Sequence, residues 1–167
     1  MVLTSITRLA ALVLALLACT PLYAAESALA QPLPKENDRA LWVSFGFLSR
    51  HDNRHANYNE RNDGFGVEYQ SSAEHWWSVG HYRNSVRHSS TYLQYGWMPL
   101  SFGPVRIGGA VGLVNGYPRL NGGDWTPTLL PVIGVEYGRV GANIVYIPSV
   151  AGQAAGAVAV QFKLRLF

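Results

Sequence analysis

Between residues 41 and 167, bulky apolar side chains alternate with small or polar ones over eight segments. On the segment 90–98, Leu93, Tyr95 and Trp97 share one face, while smaller or more polar residues share the other. Successive side chains of a β-strand point to opposite faces, so this period predicts strands that each carry one apolar face. The predicted strands are 41–50, 63–70, 75–86, 90–98, 105–116, 128–138, 140–148 and 154–167.

The stretch from His75 to Leu100 is the clearest pair of these segments. Two alternating halves flank a polar tip that begins Arg83-Asn84-Ser85. Two such runs separated by a few polar residues predict a β-hairpin, which places the chemistry-bearing residues of the tip at one end of the sheet.

The connections between the segments tend to alternate in length, which is typical of outer-membrane barrels. The short connections lie near 71–74, 99–104 and 139, and the mostly longer ones near 51–62, 117–127 and 149–153, with the short tip at 87–89 as the exception. The alternative is a secreted, lipocalin-like barrel whose apolar faces point inward. A composition of 49% hydrophobic and 14% charged residues favours the membrane form. We therefore predict an all-β fold, an eight-stranded antiparallel transmembrane β-barrel over residues 41–167, in the outer membrane of a Gram-negative bacterium.

The first residues predict export. Arg8 precedes an apolar run over residues 9–18, which is too short to span a bilayer and is followed by small residues. We predict a signal peptide over residues 1–24, with residue 30 as the latest cleavage site, and a flexible segment over 25–40. A lipoprotein signal that acylates Cys19 is the alternative. Since Cys19 is the only cysteine, no intrachain disulfide is expected.

The inward faces of the predicted strands divide the lumen into two halves. The ionic half holds Glu68, Arg106, Glu136, Lys163 and Arg165, which are expected to form a paired plug. The other half is apolar, although membrane barrels usually keep a polar interior. This half is either a packed apolar core or a space for an acyl chain, and its members are Leu130, Val132, Val145, Ile147, Ala157 and Ala159.

Two prolines interrupt the neighbouring sixth and seventh strands. Pro131 and Pro148 each remove a ladder hydrogen bond, and an unmade bond is costly inside a bilayer. The pair predicts a local gap between these strands through which a lipid tail could pass. The alternative is that both residues lie just outside the hydrocarbon layer.

Polar residues gather where the strands reach the longer loops. Four arginines there, Arg54, Arg61, Arg83 and Arg87, are candidates for binding lipid phosphates, because Arg binds phosphate bidentately; a solvated basic rim is the alternative. His51 and Ser85 are candidates for a base and a nucleophile or positioning hydroxyl in acyl transfer. Residue types alone do not place these two side chains together.

A series of short motifs in this region and beyond it resembles the PagP family of outer-membrane lipid A palmitoyltransferases. The motifs follow in order over most of the predicted barrel and are Tyr58-Asn59-Glu60-Arg61, Gly64-Phe65-Gly66, Arg83-Asn84-Ser85, Tyr95-Gly96-Trp97, Leu129-Leu130-Pro131, Tyr137-Gly138, Tyr146-Ile147-Pro148 and Phe167.

The resemblance implies a reaction that moves palmitate from a glycerophospholipid to a hydroxyacyl chain of lipid A, without metal or cofactor. Ser85 would take the place of the essential serine of the family, and Gly96 would lie at the floor of the acyl pocket. Pro131 and Pro148 would flank the lateral opening. His51 is the candidate for the histidine that the family requires.

The chain also departs from the family pattern. Asn84 stands where the family has a catalytic aspartate, so it is expected to act as a hydrogen-bonding partner, and Asn84→Asp is expected to retain or raise activity. His51 stands closer to Tyr58 than the family histidine does, which leaves His55 as a rival.

We therefore hypothesise a lipid A acyltransferase whose partners are membrane lipids, not nucleic acid, and which acts as a monomer. Two alternatives remain open. One is a lipid A or phospholipid deacylase, for which His88, Ser89 and Ser90 offer a histidine–serine pair. The other is a non-catalytic outer-membrane barrel.

Overall fold

A computed structural model describes residues 39–150 and 154–167 of the chain, and all eight predicted strands are present. The strands are β1 (Ala40–His51), β2 (Arg61–Gln70), β3 (His75–Arg83), β4 (Ser89–Phe102), β5 (Val105–Val114), β6 (Thr126–Tyr137), β7 (Val140–Ile147) and β8 (Ala157–Arg165). Each strand pairs with its neighbours in antiparallel register, and β8 pairs with β1 to close the barrel. The all-β, eight-stranded antiparallel barrel is therefore confirmed. The predicted signal peptide and residues 25–38 of the predicted flexible segment lie outside the described residues.

Within the described ranges, no helix is both long enough and apolar enough to cross a membrane.

The strand β4 extends further than predicted. Pro99 stands at the start of the predicted connection 99–104, yet β4 continues to Phe102 and the turn falls at 103–104. The register of β4 against β5 shifts between Trp97 and Leu100, so the proline occupies an irregular position where a ladder donor is not required.

The connections separate into two ends of the barrel. The short-turn end carries the connections 71–74, 103–104 and 138–139. The long-loop end carries 52–60, 84–88, 115–125 and the described parts of the β7–β8 connection, 148–150 and 154–156. The predicted alternation of loop length is present, and the tip after β3 is a five-residue loop, 84–88. The candidate residues His51 and Ser85 both belong to the long-loop end.

The outer surface of the barrel is rich in large apolar side chains. Phe65 is 67% exposed, Trp97 is 53% exposed and Leu129 is 71% exposed. These residues alternate along their strands with buried or half-buried ones, as the pattern of the sequence predicts.

A layer of paired charges fills the lumen toward the short-turn end. Lys163 Nζ lies 2.5 Å from Glu68 Oε1 and 2.7 Å from Glu136 Oε1, and Arg106 also pairs with Glu136. Asn143 Nδ2 donates a hydrogen bond of 2.7 Å to the second oxygen of Glu68. Four of the five predicted members therefore form the paired layer, in which each buried charge has an opposite charge beside it. The fifth, Arg165, pairs with no carboxylate side chain among the described residues and lies 6.0 Å from the centroid of the Trp42 ring.

A small apolar cluster follows this ionic layer. Its buried members are Trp76, Met98, Ala110 and Val132. Along β6, Val132 stands between Glu136 of the ionic layer and Leu130, which lines a cavity at the long-loop end. On the β6 side of the lumen, the cluster therefore lies between the ionic layer and the cavity.

Candidate active site

The lumen near the long-loop end encloses a cavity of about 500 Å³. One side is aliphatic and comes from β6, β7 and β8, through Leu130, Val145, Ile147, Ala157 and Ala159. The other side is aromatic, because Phe47 stacks on Tyr82 at 5.6 Å and meets Tyr92 edge-on at 6.3 Å. The apolar half of the lumen was predicted to be either a packed core or an open space, and the structure shows an open space. Val132 is the exception, because it belongs to the packed cluster next to the cavity.

Tyr92 and two amide side chains form the floor of the cavity. Gly66 and Gly80 pair with each other across β2 and β3, and a Cβ on either one would crowd the Tyr92 phenol. The two glycines therefore leave room for the ring. Gln161 Nε2 donates a 2.7 Å hydrogen bond to the Tyr92 hydroxyl, and Gln94 lies in the same wall. The apolar cavity thus ends on a polar layer.

Gly96 does not line this cavity, which corrects the sequence prediction. A Cβ placed on Gly96 would overlap the indole of the buried Trp76, so the indole already fills the space on the lumen side of the glycine. The physical reason is the cross-strand pairing of Trp76 with Gly96, which the sequence pattern did not reveal. Gly96 supports Trp76, and the wall that a ligand meets is formed by Tyr92, Gln94 and Gln161.

A gap lies between β6 and β7 at the long-loop end. The ladder between them runs from Tyr137 paired with Val140 up to Val132 paired with Val145, and it stops there. Residues 126–131 of β6 pair with β5 alone. Pro131 is the first residue past the end of the ladder, and Pro148 directly follows β7. The interruption predicted from the two prolines is present, and Leu130 and Ile147 of the cavity wall lie beside it.

His51 stands at the end of β1 and lines the cavity. Its ring stacks on Tyr58 with 4.4 Å between the ring centroids, and only 6% of the residue is exposed. Glu60 Oε1 lies 3.9 Å from His51 Nδ1 and accepts a 3.3 Å hydrogen bond from its backbone N–H. The rival His55 is exposed in the loop 52–60 and is not in the cavity wall. The geometry therefore favours His51.

Ser85 lies in the loop 84–88 and lines the same cavity. Tyr117 lines the same cavity, and its hydroxyl lies 2.8 Å from that of Tyr82. Burial raises the pKa of the Tyr117 phenol, so this group remains a protonated donor. Among the described residues no hydrogen bond joins His51 to Ser85, so the structure brings them to one cavity without pairing them directly.

Contacts between two loops hold Ser85 in place. The backbone N–H of Asn59 donates to the Ser85 carbonyl at 2.8 Å. Arg87 Nη1 and Nη2 donate to the carbonyl and the side-chain oxygen of Asn57, at 2.7 and 3.1 Å. Because the loop 52–60 follows His51 directly, these bonds fix the serine loop relative to the histidine.

Asn84 is fully buried, and its side chain joins the tip to β4 and to the loop 115–125. Its amide donates to the Gly116 carbonyl at 2.7 Å and to Ser90 Oγ at 2.9 Å. Its oxygen accepts from the backbone N–H groups of Val86 and His88. Asn84 does not line the cavity, so the geometry assigns it a structural part next to Ser85 and no contact with a ligand.

The expected result of Asn84→Asp changes accordingly. A carboxylate would place an acceptor 2.7 Å from the Gly116 carbonyl and would lose both donated bonds. We expect the free energy of unfolding to fall by about 2–3 kcal/mol, the cost typical of a buried polar group left unpaired. Denaturant unfolding in detergent, followed by circular dichroism, measures this change. Asn84→Asp of unchanged stability and raised activity would restore the catalytic part predicted from the sequence.

The four candidate arginines lie outside the cavity wall. Arg54 pairs with Glu60 at 2.8 Å, and Arg87 is bonded to the loop 52–60 as described. Arg61 and Arg83 are exposed at the ends of β2 and β3. Contact of these four with lipid phosphates stays a prediction. The cation that does line the cavity is Arg119, in the loop 115–125, and sequence reasoning missed it because nothing along the chain places this loop over the lumen.

The alternative histidine–serine pair at the tip, His88 with Ser89 or Ser90, lies away from the cavity. Ser90 is fully buried and accepts the hydrogen bond from Asn84, while His88 and Ser89 are exposed. None of the three lines the cavity. Within residues 39–150 and 154–167, no group of three or more His, Cys, Asp or Glu side chains is arranged to hold a metal ion.

Comparison of the chain with protein-family models gives no match, and comparison with curated protein sequences gives none either.

Proposed function

We propose that this protein is an outer-membrane acyltransferase that moves a palmitoyl-type chain from a glycerophospholipid to lipid A. The observation that carries the proposal is an apolar cavity of about 500 Å³ that has His51 and Ser85 in its wall at the long-loop end. Ligand pockets of this size are mainly apolar with a few placed polar groups, which suits a hydrocarbon chain attached to a reactive ester.

Two further features support a lipid substrate. The ladder between β6 and β7 stops at Val132 and Val145, beside the cavity-lining residues Leu130 and Ile147. An acyl chain that enters from the side would pass between these unpaired ends of the two strands. The outer surface of the barrel carries large exposed apolar residues such as Phe65 and Leu129, as the lipid-facing side of a membrane barrel does. The resemblance to the PagP family points to the same substrates.

The proposed reaction is a direct ester exchange. An acceptor hydroxyl on lipid A attacks the ester carbonyl of the phospholipid, and His51 accepts the proton of that hydroxyl. The bond between the carbonyl carbon and the glycerol oxygen breaks, and the same proton passes to that oxygen. The products are acylated lipid A and a lysophospholipid. Ser85 and Tyr117, which both line the cavity, would donate hydrogen bonds to the oxygen on which negative charge develops.

Mass spectrometry of lipid A tests the proposal. Cells expressing the gene should gain lipid A species heavier by one acyl chain, and cells expressing Ser85→Ala should not. Loss of one acyl chain would instead identify the deacylase, and an unchanged lipid A would leave the non-catalytic barrel. The amount of folded barrel in each strain is measured by its altered migration in unheated gels, so that poor expression is not mistaken for lost activity.

A further inference from the structure

A second cavity of about 350 Å³ adjoins the first at the long-loop end. The two cavities share Tyr58, Arg119, Ala154 and Ala155 in their walls. Their linings differ, because the first is mostly hydrocarbon and aromatic, whereas the second contains Asp52, Asn53 and Ser149. A molecule with an apolar tail in the first cavity would place a polar group in the second.

Each of the two charged residues in the second cavity comes from a different loop. Arg119 belongs to the loop 115–125 and Asp52 to the loop 52–60. The backbone N–H of Asp52 donates to the Gly156 carbonyl at 2.9 Å, and a Cβ on Gly156 would overlap its carboxylate. The carboxylate is therefore held against the start of β8.

These two charges have no ionic partner among the described residues. The ion pairs at this end of the barrel join Glu60 to Arg50 and Arg54, and neither includes Arg119 or Asp52. Arg119 and Asp52 thus present one positive and one negative group to the same space without neutralising each other.

We propose that the second cavity binds the headgroup of a zwitterionic phospholipid, with Arg119 on the phosphate and Asp52 on the amine. Arginine binds phosphate oxygens with two parallel hydrogen bonds, and a carboxylate attracts an ammonium group. This assignment rests on the proposed function, since it names the donor lipid. An anionic phosphoglycerol headgroup fits less well, because it offers no cation to Asp52.

The position of the site agrees with the chemistry of the first cavity. Tyr58 belongs to both walls, and His51 stacks on it at 4.4 Å. In a glycerophospholipid the ester lies between the acyl chain and the phosphate. A donor with its tail in the first cavity and its phosphate at Arg119 would therefore hold its ester near His51.

Competition binding tests the inference without turnover. Dialkyl ether analogues of phosphatidylethanolamine and phosphatidylglycerol contain no ester, so they bind without reacting. Equal amounts of the two are added to the full-length mature barrel in detergent, and native mass spectrometry counts the bound molecules of each. We expect the wild-type protein to prefer the ethanolamine lipid by about two- to five-fold, the range typical of one exposed charge pair.

Two variants separate the two contacts. Asp52→Asn should bring the ratio of bound ethanolamine lipid to bound glycerol lipid to about one. Binding of the glycerol lipid itself should not weaken. Arg119→Gln should weaken both lipids by about five- to ten-fold, and Arg119→Lys should recover part of that loss. Arg139→Gln, which removes an exposed arginine in the turn 138–139 at the opposite end of the barrel, outside both cavities, is the matched control and should change neither the preference nor the affinity.

Three results would overturn the inference. These are equal binding of the two lipids by the wild-type protein, a preference that persists in Asp52→Asn, and an Arg119→Gln protein that loses affinity for lipid A but not for the ether phospholipids. The last result would show that Arg119 binds a phosphate of lipid A, the acceptor, and not the phosphate of the donor phospholipid. Selective ether-lipid binding by a protein that leaves lipid A unmodified would instead contradict the proposed reaction and uphold the headgroup site.

Discussion

Ser85→Ala and His51→Ala are each expected to lower the rate of acyl transfer by roughly two to four orders of magnitude, the range typical of a positioned acid or base. Both side chains line the cavity. Ser85→Ala removes only a hydroxyl, and His51→Ala removes a buried ring that stacks on Tyr58 but leaves the strand pairing and the ionic layer intact. The barrel should therefore stay folded in both variants. The rate is measured with purified barrel in detergent, a radiolabelled phospholipid donor and lipid A as acceptor.

The double variant sharpens this test. If the two side chains act in one step, Ser85→Ala combined with His51→Ala should lose little more than either single change, because groups that act as a unit are not additive. Ser89→Ala and His55→Ala are the matched controls, since both residues are exposed nearby and neither lines the cavity. A fully active Ser85→Ala protein would contradict the assignment of this serine.

Lys163→Met is expected to give the largest loss of stability. The Lys163 side chain is only 2% exposed, and its Nζ lies within 2.7 Å of carboxylate oxygens of both Glu68 and Glu136. Removing it would leave Glu68 charged and buried with only the Asn143 amide as a partner. We expect the free energy of unfolding to fall by about 3–5 kcal/mol, the usual cost of breaking a buried ion pair on one side.

Denaturant unfolding in detergent micelles measures this loss, with Arg50→Met as the control. Arg50 pairs with Glu60 at 3.4 Å on the surface, and its loss should cost less than about 1 kcal/mol. Glu68→Gln added to Lys163→Met should recover part of the stability, because the uncompensated charge is then removed. A Lys163→Met protein as stable as the Arg50→Met control would show that the ionic layer does not hold the lumen together.

Most of the barrel could be predicted from the sequence, because a strand with one apolar face gives a regular alternation of residues along the chain. Side chains alternate between the two faces of a strand, so the apolar period located all eight strands, and the order of short and long connections located the two ends. Charged residues on inward positions also predicted the ionic layer, since Glu68 and Lys163 had no other place on an otherwise apolar sheet. The two prolines predicted the gap between β6 and β7 because a missing N–H is a property of the residue itself.

The site depended on contacts that no pattern records. Asn84 and Ser85 are adjacent in sequence, yet only Ser85 lines the cavity. The Asn84 side chain bonds instead to the Gly116 carbonyl and to Ser90, two groups that only the folded barrel brings next to it. Trp76 covers Gly96 through the register of β3 on β4, and Arg119 reaches the cavity through the path of a loop. Alternation and chain breakers are local properties, so the sequence determined the strands, the two ends and the ionic lumen. The cavity floor, the surroundings of His51 and Ser85, and the cation at the mouth were decided only by the tertiary structure, since they arise where distant strands and loops meet.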